Sequence, residues 1–101
     1  MRRAAKVDDN QAQIVAALRK AGCSVTSLAT VGMGCPDILV GYRGVNHMLE
    51  IKDGGKVPSA QKLTPMQERW IEGWRGSVAV VNSVPAALAA VGIIPVVGAI
   101  R

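Results

Sequence analysis

The chain alternates between two hydrophobic periods, and the places where the period changes mark its elements. Ile14, Ala17, Leu18 and Ala21 recur at helical spacing and predict a buried stripe on a first helix. Asp8 with Gln11 fits a capping box at its start, while Arg19, Lys20 and then Gly22 close it. Cys23 to Thr30 alternates loosely and predicts a first strand. The glycine-rich run Val31-Gly32-Met33-Gly34-Cys35 reads as a flexible bend leading into the sheet. Ile38-Leu39-Val40 and His47-Met48-Leu49 are strand-like blocks, with Gly44 between them able to supply the positive φ of a tight turn. Thr64-Pro65-Met66-Gln67 carries three agreeing helix-start signals, namely an N-cap, a first-turn proline and a capping-box glutamine.

The pattern then leaves one ambiguity. No charged residue occurs from Ser77 to Ile100, a length that would suit a membrane span. Pro85, Pro95, Gly92 and Gly98 break it up. It divides better into a strand over Val78–Val81, a helix over Pro85–Val91 and a short apolar tail. No membrane association is expected.

A two-residue loop at Arg43-Gly44 fixes the register of the hairpin. Tyr42 then faces Val45, and Asp37 faces Glu50 with Cβ atoms about 5 Å apart. Lys52 lies on the same strand face as Glu50. Two acids held opposite each other repel unless a cation sits between them, and a divalent metal beside a lysine meets that need. His47 falls on the other face, which makes it structural or surface-exposed rather than a ligand. Serine or cysteine nucleophile chemistry lacks a neighbouring base.

Composition narrows the class. With 101 residues, half of them hydrophobic, the chain is long enough for one packed domain, taken as 1–101 with a basic arm at 1–7. Twelve Lys and Arg against seven Asp and Glu give +5, a balance that leans towards a polyanionic partner. Cys23 and Cys35 lack metal-site spacing and read as reduced, buried thiols. The N-terminus is not a signal peptide, and the chain reads as cytoplasmic. Trp70 and Trp74, four apart, are expected in the core rather than as a platform for stacking bases. The stretch Asp53 to Lys62 reads as a mobile basic loop.

Pro36-Asp37, followed thirteen residues later by Glu50-Ile51-Lys52, resembles the signature of PD-(D/E)XK nucleases. Leu63-Thr64-Pro65-Met66-Gln67, Trp70, Gly76 and Val78-Ala79-Val80-Val81 downstream narrow the resemblance to the compact VRR-NUC branch, typical of phage and bacterial genomes. It spans roughly residues 8 to 90. It implies an α/β, restriction-endonuclease-like αβββαβ core with a mixed sheet flanked by helices. It also implies a metal-dependent DNA endonuclease acting on branched, junction or nicked DNA, such as a Holliday junction, and a homodimer. On this reading Asp37 and Glu50, joined by the Ile51 carbonyl, hold Mg²⁺ or Mn²⁺ as oxygen donors. Lys52 neutralises developing charge, and Gln67 orients water or phosphate or simply caps its helix. Family members often add an acid from the first helix, where the choice lies among Asp8, Asp9 and Asn10, with Asp9 and Asn10 as possible contributors and simple capping as the alternative. Arg2, Arg3, Lys6, Arg43, Lys56 and Lys62 are available to DNA phosphates. A basic DNA-binding module with weak or no catalysis on the same fold is the rival expectation.

Overall fold

The computed structural model describes residues 9–94. The basic arm, the Asp8 cap and the apolar tail lie outside them, as do Arg2, Arg3 and Lys6. The elements run α1 (Asp9–Lys20), β1 (Ser24–Ser27), β2 (Ile38–Tyr42), β3 (Val45–Ile51), α2 (Pro65–Gly73), β4 (Val78–Val81) and α3 (Val84–Ala90), with a 3₁₀ turn at Pro58–Gln61. This is the expected αβββαβ order with a third helix added. The sheet order is β1-β2-β3-β4. The first two pairings are antiparallel and β3–β4 is parallel, so α2 and its flanking loops form the crossover.

One face of the sheet carries the core. Ile38, Val40, Leu49, Ile51 and Val81 meet Ile14 and Leu18 of α1 and Ala87 and Val91 near α3. Ala17 is only half-buried and Ala21 is exposed, so the stripe on α1 is narrower than its sequence period implies. A Schellman arrangement ends α1: Gly22 sits at φ +100°, and the N–H groups of Gly22 and Cys23 donate to the Arg19 and Leu18 carbonyls. Ser83 caps α3 through its side chain, with Pro85 in the first turn. Both cysteines are free thiols; Cys23 is buried and Cys35 half-buried. No helix among the described residues is long and apolar enough to cross a membrane.

The β2–β3 hairpin turns through Arg43 and Gly44, both at positive φ, with Tyr42 paired to Val45 and Ile38 to Leu49. That is the register the two-residue loop demands. It stops one residue short of the expected Asp37–Glu50 pair. The Asp37 N–H donates to the Leu49 carbonyl (3.1 Å), the same residue that Ile38 faces. Two residues of this strand therefore oppose one of β3, as in a β-bulge.

The second sheet face is covered differently. α2 buries none of its residues. Trp70 is half-buried and Trp74 is exposed, so neither tryptophan belongs to the core. Trp74 has already left the helix as its C-cap, yet its ring stacks on Trp70 with centroids 4.6 Å apart. Gly76 makes room for that ring: a Cβ there would lie 2.9 Å from the Trp74 indole nitrogen.

Candidate active site

Three backbone devices deliver side chains to the uncovered end of this second face. The first is the end of β3. Met48 and Lys52 donate their N–H groups towards β4, to Ser77 (3.1 Å) and Val81 (2.8 Å). Residues of odd number between them therefore point their N–H towards β2. At Ile51 regular β2 has already ended, and no ladder carbonyl is available. Asp37 Oδ2 takes that place, accepting from the Ile51 N–H at 2.7 Å. The bulge thus turns the Asp37 side chain towards the strand that carries Glu50.

The second device is the glycine bend. Gly34, at φ +86°, packs so tightly on the first turn of α2 that a Cβ would fall 2.5 Å from the Met66 carbonyl oxygen. Bulk is excluded here as well as left-handed strain. The bend therefore acts as a fixed spacer that sets Asp37 against α2, not as a flexible hinge.

The third is the helix start itself. Thr64 Oγ1 accepts from the Gln67 N–H (3.2 Å), and Gln67 Oε1 accepts from the Thr64 N–H (2.9 Å), completing the capping box. The same Oε1 accepts from Lys52 Nζ (3.0 Å), while Gln67 Nε2 donates to Glu50 Oε2 (3.0 Å). One amide thus caps the helix and also contacts Lys52 and Glu50.

Glu50 is 3% exposed, and its Oε1 is buried without a hydrogen-bond partner among the described residues. Lys52 Nζ lies 3.6 Å from Oε2. Burial, and then the charge of Asp37, push the Glu50 carboxyl up to about 7 against the opposing pull of Lys52. One lysine therefore fails to offset desolvation plus a second acid. The Cys35 thiol is also pushed up, first by burial and then by the charges of Glu50 and Asp37.

Asp37, Glu50, Lys52 and Gln67 are thus brought together, and the Ile51 carbonyl shares the strand edge that faces Asp37. Among the described residues no group of three or more His, Cys, Asp and Glu side chains could hold a metal. The oxygen donors on hand are two carboxylates and a backbone carbonyl, one carboxylate oxygen being an orphan. Asp9 is exposed. Asn10 acts on the backbone: its Nδ2 donates to the Lys52 carbonyl (2.7 Å) and to that of Asn82 (3.4 Å), tying α1 to the ends of β3 and β4. Sequence reasoning weighed Asn10 as a ligand or a cap and missed this tie, which no local pattern encodes.

The basic residues are dispersed. Arg43 occupies the hairpin turn, six residues and roughly 20 Å of strand from Asp37. Lys56 and Lys62 are exposed on the segment leading to α2. That segment is not the structureless loop its composition implies. Gln61 Nε2 donates to the Lys56 carbonyl (2.7 Å), Asn82 Nδ2 donates to Gln61 Oε1 (3.1 Å), and Asp53 Oδ1 accepts from the Gly55 N–H (2.9 Å). His47 donates to or accepts from Ser77 Oγ at 3.1 Å, away from the carboxylates.

Neither family models nor curated proteins give a match to the sequence. Among solved structures, one described as a VRR_NUC domain is similar over 81% of this chain and 94% of its own length, with a TM-score of 0.59 and 27% identity. An α/β domain with a four-stranded mixed sheet between helices, superposing on nearly all of that domain, has the restriction-endonuclease-like fold, and its similarity to a VRR_NUC domain supports the resemblance that the motifs carry.

Proposed function

We propose that the chain is a metal-dependent endonuclease that hydrolyses phosphodiester bonds in branched, junction or nicked DNA. The observation that carries the reading is the buried Glu50 Oε1, an orphaned carboxylate oxygen beside Asp37 that Lys52 does not neutralise. Carboxylate and carbonyl oxygens suit Mg²⁺ or Mn²⁺. Asp37, Glu50 and the Ile51 carbonyl would hold the ion, which when bound polarises a phosphate and lowers the pKa of a water.

The chain's own residues supply the rest. Gln67 fixes Glu50 Oε2 and leaves Oε1 without a hydrogen-bond partner among the described residues, available to a cation. Lys52, steadied by Gln67 Oε1, offers a positive charge to the phosphate oxygens as they gain negative charge. Burial of Glu50 keeps water off the acid and strengthens each of these interactions. The net charge of +5 favours a polyanion, with Arg2, Arg3, Lys6, Arg43, Lys56 and Lys62 as its contacts. A domain this small covers little duplex alone, in keeping with a homodimer.

The rival reading, a basic DNA-binding module without catalysis, draws on Asn10. The first helix contributes an amide bound to backbone where a further acid would strengthen ion binding. One assay separates the two: incubation of supercoiled plasmid and of a four-way junction with the protein in Mg²⁺ or Mn²⁺, against a chelator control. Ion-dependent strand cleavage is expected. Binding without cleavage in either ion would establish the module instead.

A further inference from the structure

A groove of about 590 Å³ opens on the sheet face that carries Glu50, within the ~300–1,000 Å³ typical of small-molecule sites. Leu39 and Met48 of the sheet line it together with Trp70 and Trp74. Among the described residues no charged side chain lines it. Such a lining rejects phosphate and accepts a flat, largely apolar ring. The two indoles are available for that purpose, since their helix buries nothing and Trp74 is 45% exposed.

The groove adjoins the carboxylates. Cys35 lines it and also feels the charges of Glu50 and Asp37. Met48 and Glu50 are alternate residues of β3 on one face, about 7 Å apart along the strand. That is the scale of the step from a nucleotide's phosphate to its base. The Asn46 amide and Ser77 hydroxyl add polar atoms to the lining, suited to a base edge. A base within a duplex is stacked on its neighbours and is not free to enter, so the occupant must be unpaired or extruded.

We propose that this groove is a subsite for one unpaired nucleobase next to the scissile phosphate, an inference that rests on the nuclease reading above. It gives the protein a reason to prefer DNA with unpaired bases, such as branch points and flaps, over uninterrupted duplex.

Both tryptophans of the chain lie in the groove, so intrinsic fluorescence reports on it without background. The full-length Asp37→Asn variant is titrated in Mg²⁺ with an oligothymidine strand, an equally long abasic strand and a blunt duplex. The thymidine strand is expected to quench the emission. The abasic strand should bind through its phosphates about tenfold more weakly and leave the emission unchanged, as loss of one stacked base implies. Trp74→Ala should reduce thymidine-strand affinity to the abasic level without altering abasic binding, and Trp74→Phe should restore most of it. Equal affinity and equal quenching for thymidine and abasic strands would overturn the proposal. So would an emission change that follows protein concentration and sedimentation without DNA, which would assign the groove to a second copy of the chain. No strand need be cut in these titrations, so their failure is distinct from failure of the cleavage assay.

Discussion

Gln67 Nε2 donates to Glu50 Oε2 across 3.0 Å, and that bond fixes the buried carboxylate to the first turn of α2. The helix start and the site cannot be altered separately. Gln67→Ala should lower stability by ~1 kcal/mol through loss of the capping box and also reduce cleavage. Gln67→Glu keeps an acceptor for Thr64 and Lys52 but sets a carboxylate against Glu50. Its thermal midpoint should fall less than that of Gln67→Ala at pH 5, where acids protonate, and more at pH 8. Melting curves at the two pH values, beside cleavage rates, test both statements.

Asp37 has two partners of opposite effect. Its charge destabilises ionised Glu50, whereas its Oδ2 satisfies the Ile51 N–H. Asp37→Ala and Asp37→Asn should both abolish cleavage. The alanine variant should in addition lose about 1–3 kcal/mol by stranding a buried N–H, partly offset by relief of repulsion. Asparagine retains an acceptor and should remain near wild type or exceed it. Chemical denaturation of the two variants, compared with wild type, decides the matter.

Glu50 makes stability depend on pH with a definite sign. Its carboxyl titrates near 7 when folded and near 4.5 when unfolded, so the folded chain binds the proton more tightly. Stability from this group is complete below the lower value and is lost as pH rises through the interval, by about 3 kcal/mol at most. Without divalent ions the protein should therefore be more stable at pH 5 than at pH 8, and Glu50→Gln should flatten the trend. Added Mg²⁺ or Mn²⁺ should restore stability chiefly at the alkaline end, because binding displaces that proton. An unchanged slope in Glu50→Gln would remove Glu50 as its source.

Lys52 separates catalysis from binding. Its ammonium is held by Gln67 and Glu50, and on the proposed mechanism it meets charge that grows during reaction. Lys52→Ala should lose on the order of 10²-fold in kcat with less than about tenfold change in DNA affinity. Arginine should rescue poorly, since a planar fork does not reproduce a compact ammonium. Equal losses in rate and affinity would make Lys52 a phosphate anchor. Single-turnover rates and binding to the Asp37→Asn background measure the two effects.

Gly34→Ala should damage the site without touching a reactive group. The new methyl meets the Met66 backbone, which must give way and carry Gln67 with it. Left-handed strain of about 1 kcal/mol adds to the displacement. A substantial fall in cleavage with a folded circular-dichroism spectrum is expected, and wild-type activity would show that the spacing is not needed.

Much of this was legible in the sequence because it depends on local rules. The two-residue loop at Arg43-Gly44 sets the hairpin register, and Thr64-Pro65-Met66-Gln67 sets the start of α2. What escaped depends on the ends of elements meeting in space. The bulge at Asp37 arises where β2 runs out beside β3, and the Asn10 tie spans 42 residues. The tryptophans were misjudged because helical spacing reports which residues share a face, not whether that face is covered.

Asp37 accepting the Ile51 N–H bears on how such a domain would decay. A gene copy freed from selection for cleavage would still be constrained at position 37 to a side chain with an acceptor oxygen, because losing that oxygen strands a buried donor. Lys52 is under no comparable folding constraint, and its removal leaves Glu50 free to take up a proton. Descendants without cleavage should therefore shed the lysine first and keep aspartate or asparagine at position 37, retaining a trace of the signature after its chemistry is lost.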